Sequence, residues 1–260
     1  MKPAISVLLP SRGRPVDLKS SVESIFDLAE DPDRVEVLIR LDLDDPHLRE
    51  AQFVGQGVHE QRVLVIIGER WGYACIHDMF NQLASLSRGD WLVNWNDDAR
   101  WVTHGWDELL RDAPLFAIQY PRQNTAKSSN YTVPVTSRQV YQAIGHLSQN
   151  AYSDAWSSDV SAYAGTSVIR DDVVYSHERP SDDTAQGQSL VGDAQWALFV
   201  SDEQRAMRRA ESLRLVKHPV YVGRFDDWDV TRVDHPAPSV KLGDGEAKAR
   251  SYVLRGRRGR

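Results

Sequence analysis

Two adjacent carboxylates, Asp97 and Asp98, follow the apolar run from Trp91 to Trp95 and are preceded by Asn96. Side by side after a buried segment, they repel each other unless a cation or solvent intervenes. Oxygen-rich clusters of this kind suit hard ions such as Mg²⁺ or Mn²⁺, which also grip diphosphates. The competing reading is a helix cap, but Ala99 to Val102 reads as extended. Upstream, Pro10-Ser11-Arg12-Gly13-Arg14-Pro15 closes another apolar run and leaves two guanidinium forks at its exit, a geometry that binds phosphate or carboxylate or is simply solvated. A third run ends in Asp42, whose carboxylate can accept from a nucleobase imide or a ribose hydroxyl, or belong to a polar turn that Asp44 and Asp45 cap. Further on, Asp154 and Asp159 flank Trp156, which reads either as a general base beside a sugar-stacking ring or as a capped surface helix start.

These residues need a scaffold that gathers strand ends. Ala4 to Leu9, Val35 to Leu41, Val63 to Ile67 and Trp91 to Trp95 are continuous apolar runs, as in strands covered on both faces. Between them, Leu18, Val22, Ile25 and Phe26, and then Ile76, Met79, Phe80 and Leu83, recur at helical spacing. The pattern predicts an α/β fold with a mostly parallel central sheet flanked by helices, and such sheets bind ligands at the carboxyl ends of their strands. After a strand at Leu115 to Tyr120, residues Arg122 to Ser137 read as a loop. A helix over Gln139 to Leu147 and a longer one from Ala194 to Leu213 follow, with Trp196, Phe199 and Val200 on the apolar side of the second. The expected organisation is a nucleotide-sugar half over 1–115, an acceptor half of the same domain over 116–235, and an extended arm with a basic tail over 236–260.

At 260 residues with 41% hydrophobic and 26% charged residues, the chain has globular composition, and a formal charge of −6 excludes a broad cationic surface. The exception is Arg255 to Arg260, a solvated tail or a contact for nucleic acid. One cysteine, Cys75, forms no internal disulfide, and no apolar run is long enough to cross a bilayer. The expectation is a soluble, cytoplasmic protein without a membrane span. A Rossmann oxidoreductase needs G-x-G-x-x-G after its first strand, and Pro10 to Pro15 does not supply it.

Taken in order, the strand ending at Pro10 to Pro15, the acidic strand end at Asp42, the helix between Gly72 and Gly89-Asp90 that carries Asn81, and the pair Asp97-Asp98 resemble family 2 glycosyltransferases and related GT-A enzymes over about residues 4 to 115. The resemblance implies a GT-A fold and sugar transfer from a nucleoside diphosphate donor, UDP favoured, with a divalent cation, Mn²⁺ or Mg²⁺. It assigns Pro10, Ser11, Arg12 and Arg14 to the nucleotide-sugar site, Asp42 to the base, and Arg70 or Gly72 to the cleft wall. Asn96, Asp97 and Asp98 then correspond to the D-x-D element, with Asn96 in its first position, so the cation falls mainly to Asp98, with Asp97 as a second candidate, joined by His177 after the late strand Val173 to Ser176. Asp154 becomes the base with Asp159 in reserve, Trp156 the acceptor platform, and the reaction an inverting displacement. The donor sugar and the acceptor stay open. A nucleotidyltransferase and a non-catalytic sugar- or nucleotide-binding module are the rival readings.

Overall fold

The computed structural model describes residues 2–54, 60–124, 132–177 and 192–220, together with the backbone of 228–234 and 250–257. In chain order the elements are β1 (Ile5–Ser11), α1 (Pro15–Asp27), β2 (Val35–Asp42), α2 (Leu48–Ala51), β3 (Val63–Gly68), α3 (Ile76–Leu86), β4 (Trp91–Asn94), β5 (Ala99–Trp101) and α4 (Trp106–Arg111). Then come β6 (Ile118–Gln123), β7 (Val135–Ser137), α5 (Arg138–Ile144), α6 (Ser153–Ala164), β8 (Ser167–His177), a helix over 192–199 (α7), α8 (Asp202–Lys217), β9 (Trp228–Asp234) and β10 (Arg250–Arg257).

The strands form one ten-stranded sheet in the order β3-β2-β1-β4-β7-β6-β8-β10-β9, with β5 pairing β8. Strands β1 to β4 are mutually parallel, and β6, β8 and β10 share their direction, while β5, β7 and β9 run against it. The mostly parallel α/β expectation therefore holds. Every residue of β1, β2 and β4 is buried, which is what their unbroken apolar runs require of strands sandwiched between helices. Pro10 sits harmlessly inside β1 because pairing with β4 stops at Leu8 opposite Asn94.

Three apolar clusters hold these layers together. One joins the α1 face of the sheet to Trp95, Trp101 and Trp106. A second lies between the sheet and α3, around Leu8, Phe80, Leu83 and Leu92. The third packs α6 and α8 on β6 through Tyr120, Trp156, Phe199 and Leu215. Gly89 is the tightest joint: a Cβ there would stand 2.6 Å from the backbone nitrogen of Ser6, so only glycine lets the entry to β4 pass against β1.

Several expectations are corrected. The single helix over Ala194 to Leu213 is two helices, because Ser201 ends the first and caps α8, its hydroxyl accepting from the Gln204 N–H. Of the apolar side expected there, Phe199 is buried but Trp196 is exposed. The stretch Arg122 to Ser137 begins and ends as strand, in β6 and β7. Cys75, the lone cysteine, lies in a half-buried 3₁₀ turn ahead of α3. Arg255 and Arg257 are part of β10 instead of a disordered tail, and residues 258–260 lie outside the described residues. Among the described residues no helix is long and apolar enough to cross a membrane.

Candidate active site

Because β1, β2, β3 and β4 run the same way, their last residues, Ser11, Asp42, Gly68 and Asn94, emerge along one edge of the sheet. The acidic turn Asn96 to Asp98 hangs between β4 and β5, and it is braced from both sides. Trp95 and Trp101 stack at 4.4 Å between ring centroids, and Trp106 continues the stack at 4.5 Å. The Trp95 indole N–H donates to Ser21 Oγ at 2.7 Å, and that of Trp106 donates to the Ile25 carbonyl, which ties the stack to α1. Among the described residues most tryptophans are thus core, and here the core fixes the acidic turn.

The two carboxylates face different partners. Asp97 accepts from Ser11 Oγ at 2.7 Å and from Arg14 Nη1 at 3.1 Å. Burial, only partly offset by Arg14 and by the Ser11 hydrogen bond, pushes the Asp97 carboxyl up to about 6. Asp98 Oδ1 lies 2.9 Å from His177 Nε2, while its Oδ2 is 3.4 Å from Arg14 Nη1. Burial alone pushes Asp98 upward, but the hydrogen bond and charge of His177 and the charge of Arg14 outweigh it and hold its carboxyl below the usual range. His177 reaches this point because the second half of β8 pairs antiparallel with β5, setting His177 opposite Ala99, next in chain to Asp98. On its other side, His177 Nδ1 is 3.5 Å from Thr132 Oγ1, which is bonded at 2.8 Å to the Tyr175 hydroxyl.

At the neighbouring strand end, Asp42 is 4% exposed. Arg12 Nη1 donates to its Oδ2 at 3.3 Å, and Arg40 Nη1 lies 3.6 Å from its Oδ1. Burial raises the Asp42 carboxyl despite both guanidinium groups. Arg12 also binds Asp44 Oδ1 at 2.6 Å, and Arg70 approaches the other oxygen of Asp44 at 3.8 Å. Asp45 accepts from the Gly13 and His47 N–H groups, the turn-capping role foreseen for it. Gly72, at φ +77°, turns the chain into the 3₁₀ segment before α3. Between these features Trp71 is 40% exposed and lies over the buried Arg40, 5.2 Å from its ring centroid.

The α6 residues divide. Asp154 stands in the first turn of α6, half-buried, accepting the Ala155 N–H at 2.8 Å, and its charge reaches the Tyr120 and Tyr175 hydroxyls. Asp159 is committed elsewhere, 3.1 Å from Arg208 Nε between α6 and α8. Trp156 corrects the expectation of an acceptor platform: it is 1% exposed, its N–H donates to Glu211 Oε2 at 2.8 Å, and Arg208 lies 5.2 Å over its ring. An indole enclosed in this way has no face left for a sugar.

Reasoning from sequence missed Arg40, Thr132 and Tyr175. For Arg40 a signal existed, since a charged residue inside the apolar run Val35 to Leu41 is seldom buried without partners. Its Nη2 donates to the Glu69 carbonyl at 2.6 Å, and it also bonds Gln82 and the Leu41 carbonyl. Nothing local marked Thr132 or Tyr175, whose relevance comes from the pairing of β8 with β5.

No family model matches the chain, and no curated protein matches it by sequence. Solved structures do match. The mannosyltransferase PcManGT from Pyrobaculum calidifontis, in complex with GDP-Man and Mn²⁺, superposes with a TM-score of 0.64 at 12% identity, over 87% of this chain and 75% of that one. Residues 1–349 of S. aureus TarS in complex with UDP superpose with a TM-score of 0.54 at 8% identity, over 96% of this chain and 99% of that one. At these identities the likeness concerns the fold, which is GT-A-like, as the resemblance of the opening motifs implied.

Proposed function

We propose that the chain is a glycosyltransferase that moves a sugar from a nucleoside diphosphate donor to an acceptor hydroxyl, with a divalent cation at Asp98 and His177. The observation that carries this reading is the meeting of Asp98 and His177, 2.9 Å apart, on the sheet edge where β1 and β2 deliver Ser11 and Asp42. The fold of the chain is shared with structures solved in complex with GDP-Man and Mn²⁺ and with UDP, which supports the same ligand class here.

The donor set fits a cation that completes its shell from its ligand. One carboxylate oxygen and one imidazole nitrogen converge, and Mg²⁺ or Mn²⁺ held by few protein groups takes its remaining ligands from substrate phosphate and water. Asp97 is turned to Ser11 and Arg14, and among the described residues no group of three His, Cys, Asp or Glu side chains gathers around one point. When bound, the cation supplies Lewis-acid stabilisation of the charge that collects on the leaving diphosphate, an effect of several kcal/mol in such sites.

The chain's own residues do the rest. Asp42, buried beside Arg12 and Arg40, accepts hydrogen bonds from the base or ribose, with Trp71 and Gly72 on the adjoining wall and Asn96 offering an amide to the ribose. Arg12 and Arg70 bring positive charge to the same edge. Asp154 takes the proton of the acceptor hydroxyl as its oxygen bonds to the anomeric carbon and the bond from that carbon to the diphosphate oxygen breaks, which inverts the configuration.

The test is a product assay across UDP-, GDP-, TDP- and CMP-sugars, with and without Mn²⁺. Release of free nucleoside diphosphate from one of the diphosphate donors, dependent on Mn²⁺ and lost in Asp98→Ala, is the expected outcome. Pyrophosphate as product would identify a nucleotidyltransferase instead, and donor binding without any turnover a binding module.

A further inference from the structure

Arg14 stands between the two carboxylates of the acidic turn. It immediately precedes α1, and its Nη1 lies 3.1 Å from Asp97 Oδ1 and 3.4 Å from Asp98 Oδ2. The side chains of Arg14, Asp97 and Asp98 are each 10% exposed, so water screens their interaction little. An arginine keeps its charge at any working pH. The guanidinium of Arg14 touches both carboxylates, so it offsets part of the negative charge that would draw a cation to them. A divalent ion arriving alone at Asp98 therefore comes within a few ångströms of a guanidinium, where repulsion in a poorly screened site is strong. A nucleoside diphosphate, carrying two or more negative charges of its own, reverses that balance.

Resting on the function proposed above, we infer that Arg14 is a built-in counter-cation: it bridges Asp97 and Asp98 in the free protein, keeps a divalent ion weakly bound there, and makes the ion and a nucleoside diphosphate bind together. It also leaves a guanidinium beside the diphosphate once both are in place. Arg14 is in this sense a positioning residue, acting through the carboxylates it holds, and its bridge explains how two neighbouring acids can stay buried before any ligand arrives.

The experiment is a titration of Mn²⁺ followed by the electron paramagnetic resonance signal of the free ion, on the full chain, without nucleotide and with UDP or GDP. The wild-type protein is expected to bind Mn²⁺ weakly alone and at least about tenfold more tightly with the nucleotide it accepts. Arg14→Gln is expected to bind Mn²⁺ alone about tenfold or more tightly than wild type and to lose most of the gain from nucleotide, whereas Arg14→Lys behaves like wild type. Equal Mn²⁺ affinity of folded Arg14→Gln and wild type without nucleotide overturns the inference. So does a wild-type protein that binds Mn²⁺ equally well with and without UDP and GDP, a result that needs no variant at all. If UDP or GDP binds while either of these results holds, only the role of Arg14 falls; if none of UDP, GDP and TDP binds with or without Mn²⁺, the function proposed above falls with it.

Discussion

Replacing Gly89 by alanine tests how the sheet presents its acidic edge. The added methyl would stand 2.6 Å from both the backbone nitrogen and the hydroxyl of Ser6 and 2.7 Å from the Ile5 carbonyl carbon, so backbone has to move. The Gly89 N–H donates to Ser6 Oγ at 2.7 Å, and that hydroxyl donates to Glu36 Oε1 at 2.7 Å. Two buried hydrogen bonds at about 1 kcal/mol each and an overpacking cost of about 1–3 kcal/mol give a loss of roughly 3–5 kcal/mol. In a chain of this size that lowers the melting temperature by on the order of 10 °C. The strain falls on the β1–β4 pairing, which sets Ser11 against Asp97, so nucleotide affinity should weaken along with stability. Urea unfolding of Gly89→Ala beside Gly145→Ala is the assay. Gly145 has φ +97° and nothing within 4 Å of an added Cβ, so its variant should lose only about 1–2 kcal/mol of stability, to backbone strain. A Gly89→Ala protein no less stable than Gly145→Ala would refute the close-approach argument.

Further outcomes follow from the same contacts. Asp98→Ala and His177→Ala should each weaken Mn²⁺-dependent nucleotide binding by at least about tenfold, read by calorimetry, with the melting temperature nearly kept. Trp156→Phe should leave acceptor KM unchanged but lower stability by about 1–3 kcal/mol, because the buried Glu211 loses a donor; a raised KM with unchanged stability would restore the ring as an acceptor platform. Asn94 is 2% exposed with neither amide atom hydrogen-bonded, so Asn94→Val should raise the urea midpoint, by about 1–2 kcal/mol of stability; a lowered midpoint would show that the amide is satisfied in solution.

The first half of the fold was legible because its strands are buried on both faces, and a continuous run such as Val35 to Leu41 has few other homes. The order of strand ends then placed Ser11, Asp42 and Asp98 along one edge. The second half was less legible for reasons particular to each element. Strand β7 is three residues long and carries no period to read. The break between α7 and α8 was written in Ser201-Asp202-Glu203-Gln204, a capping-box pattern, but the apolar residues on both sides of it masked the signal. Trp156 was misplaced because composition does not distinguish an indole facing a cleft from one closed over by a neighbouring helix. That distinction depends on α8, whose Glu211 and Arg208 meet the ring from far along the chain. His177 was reached through the family resemblance alone, and the antiparallel pairing of β5 with β8 supplies the physical reason it stands beside Asp98.

The central claim is that Asp98 and His177 together hold a divalent cation against a diphosphate whose nucleoside reaches Asp42. Diffraction data collected at the manganese absorption edge, from crystals grown with Mn²⁺ and the nucleoside diphosphate that the protein accepts, test it most directly. The account predicts an anomalous peak within coordination distance of Asp98 Oδ1 and His177 Nε2, with the diphosphate against it and the base or ribose beside Asp42. A nucleotide bound with the peak elsewhere, or bound away from Asp42, would contradict it.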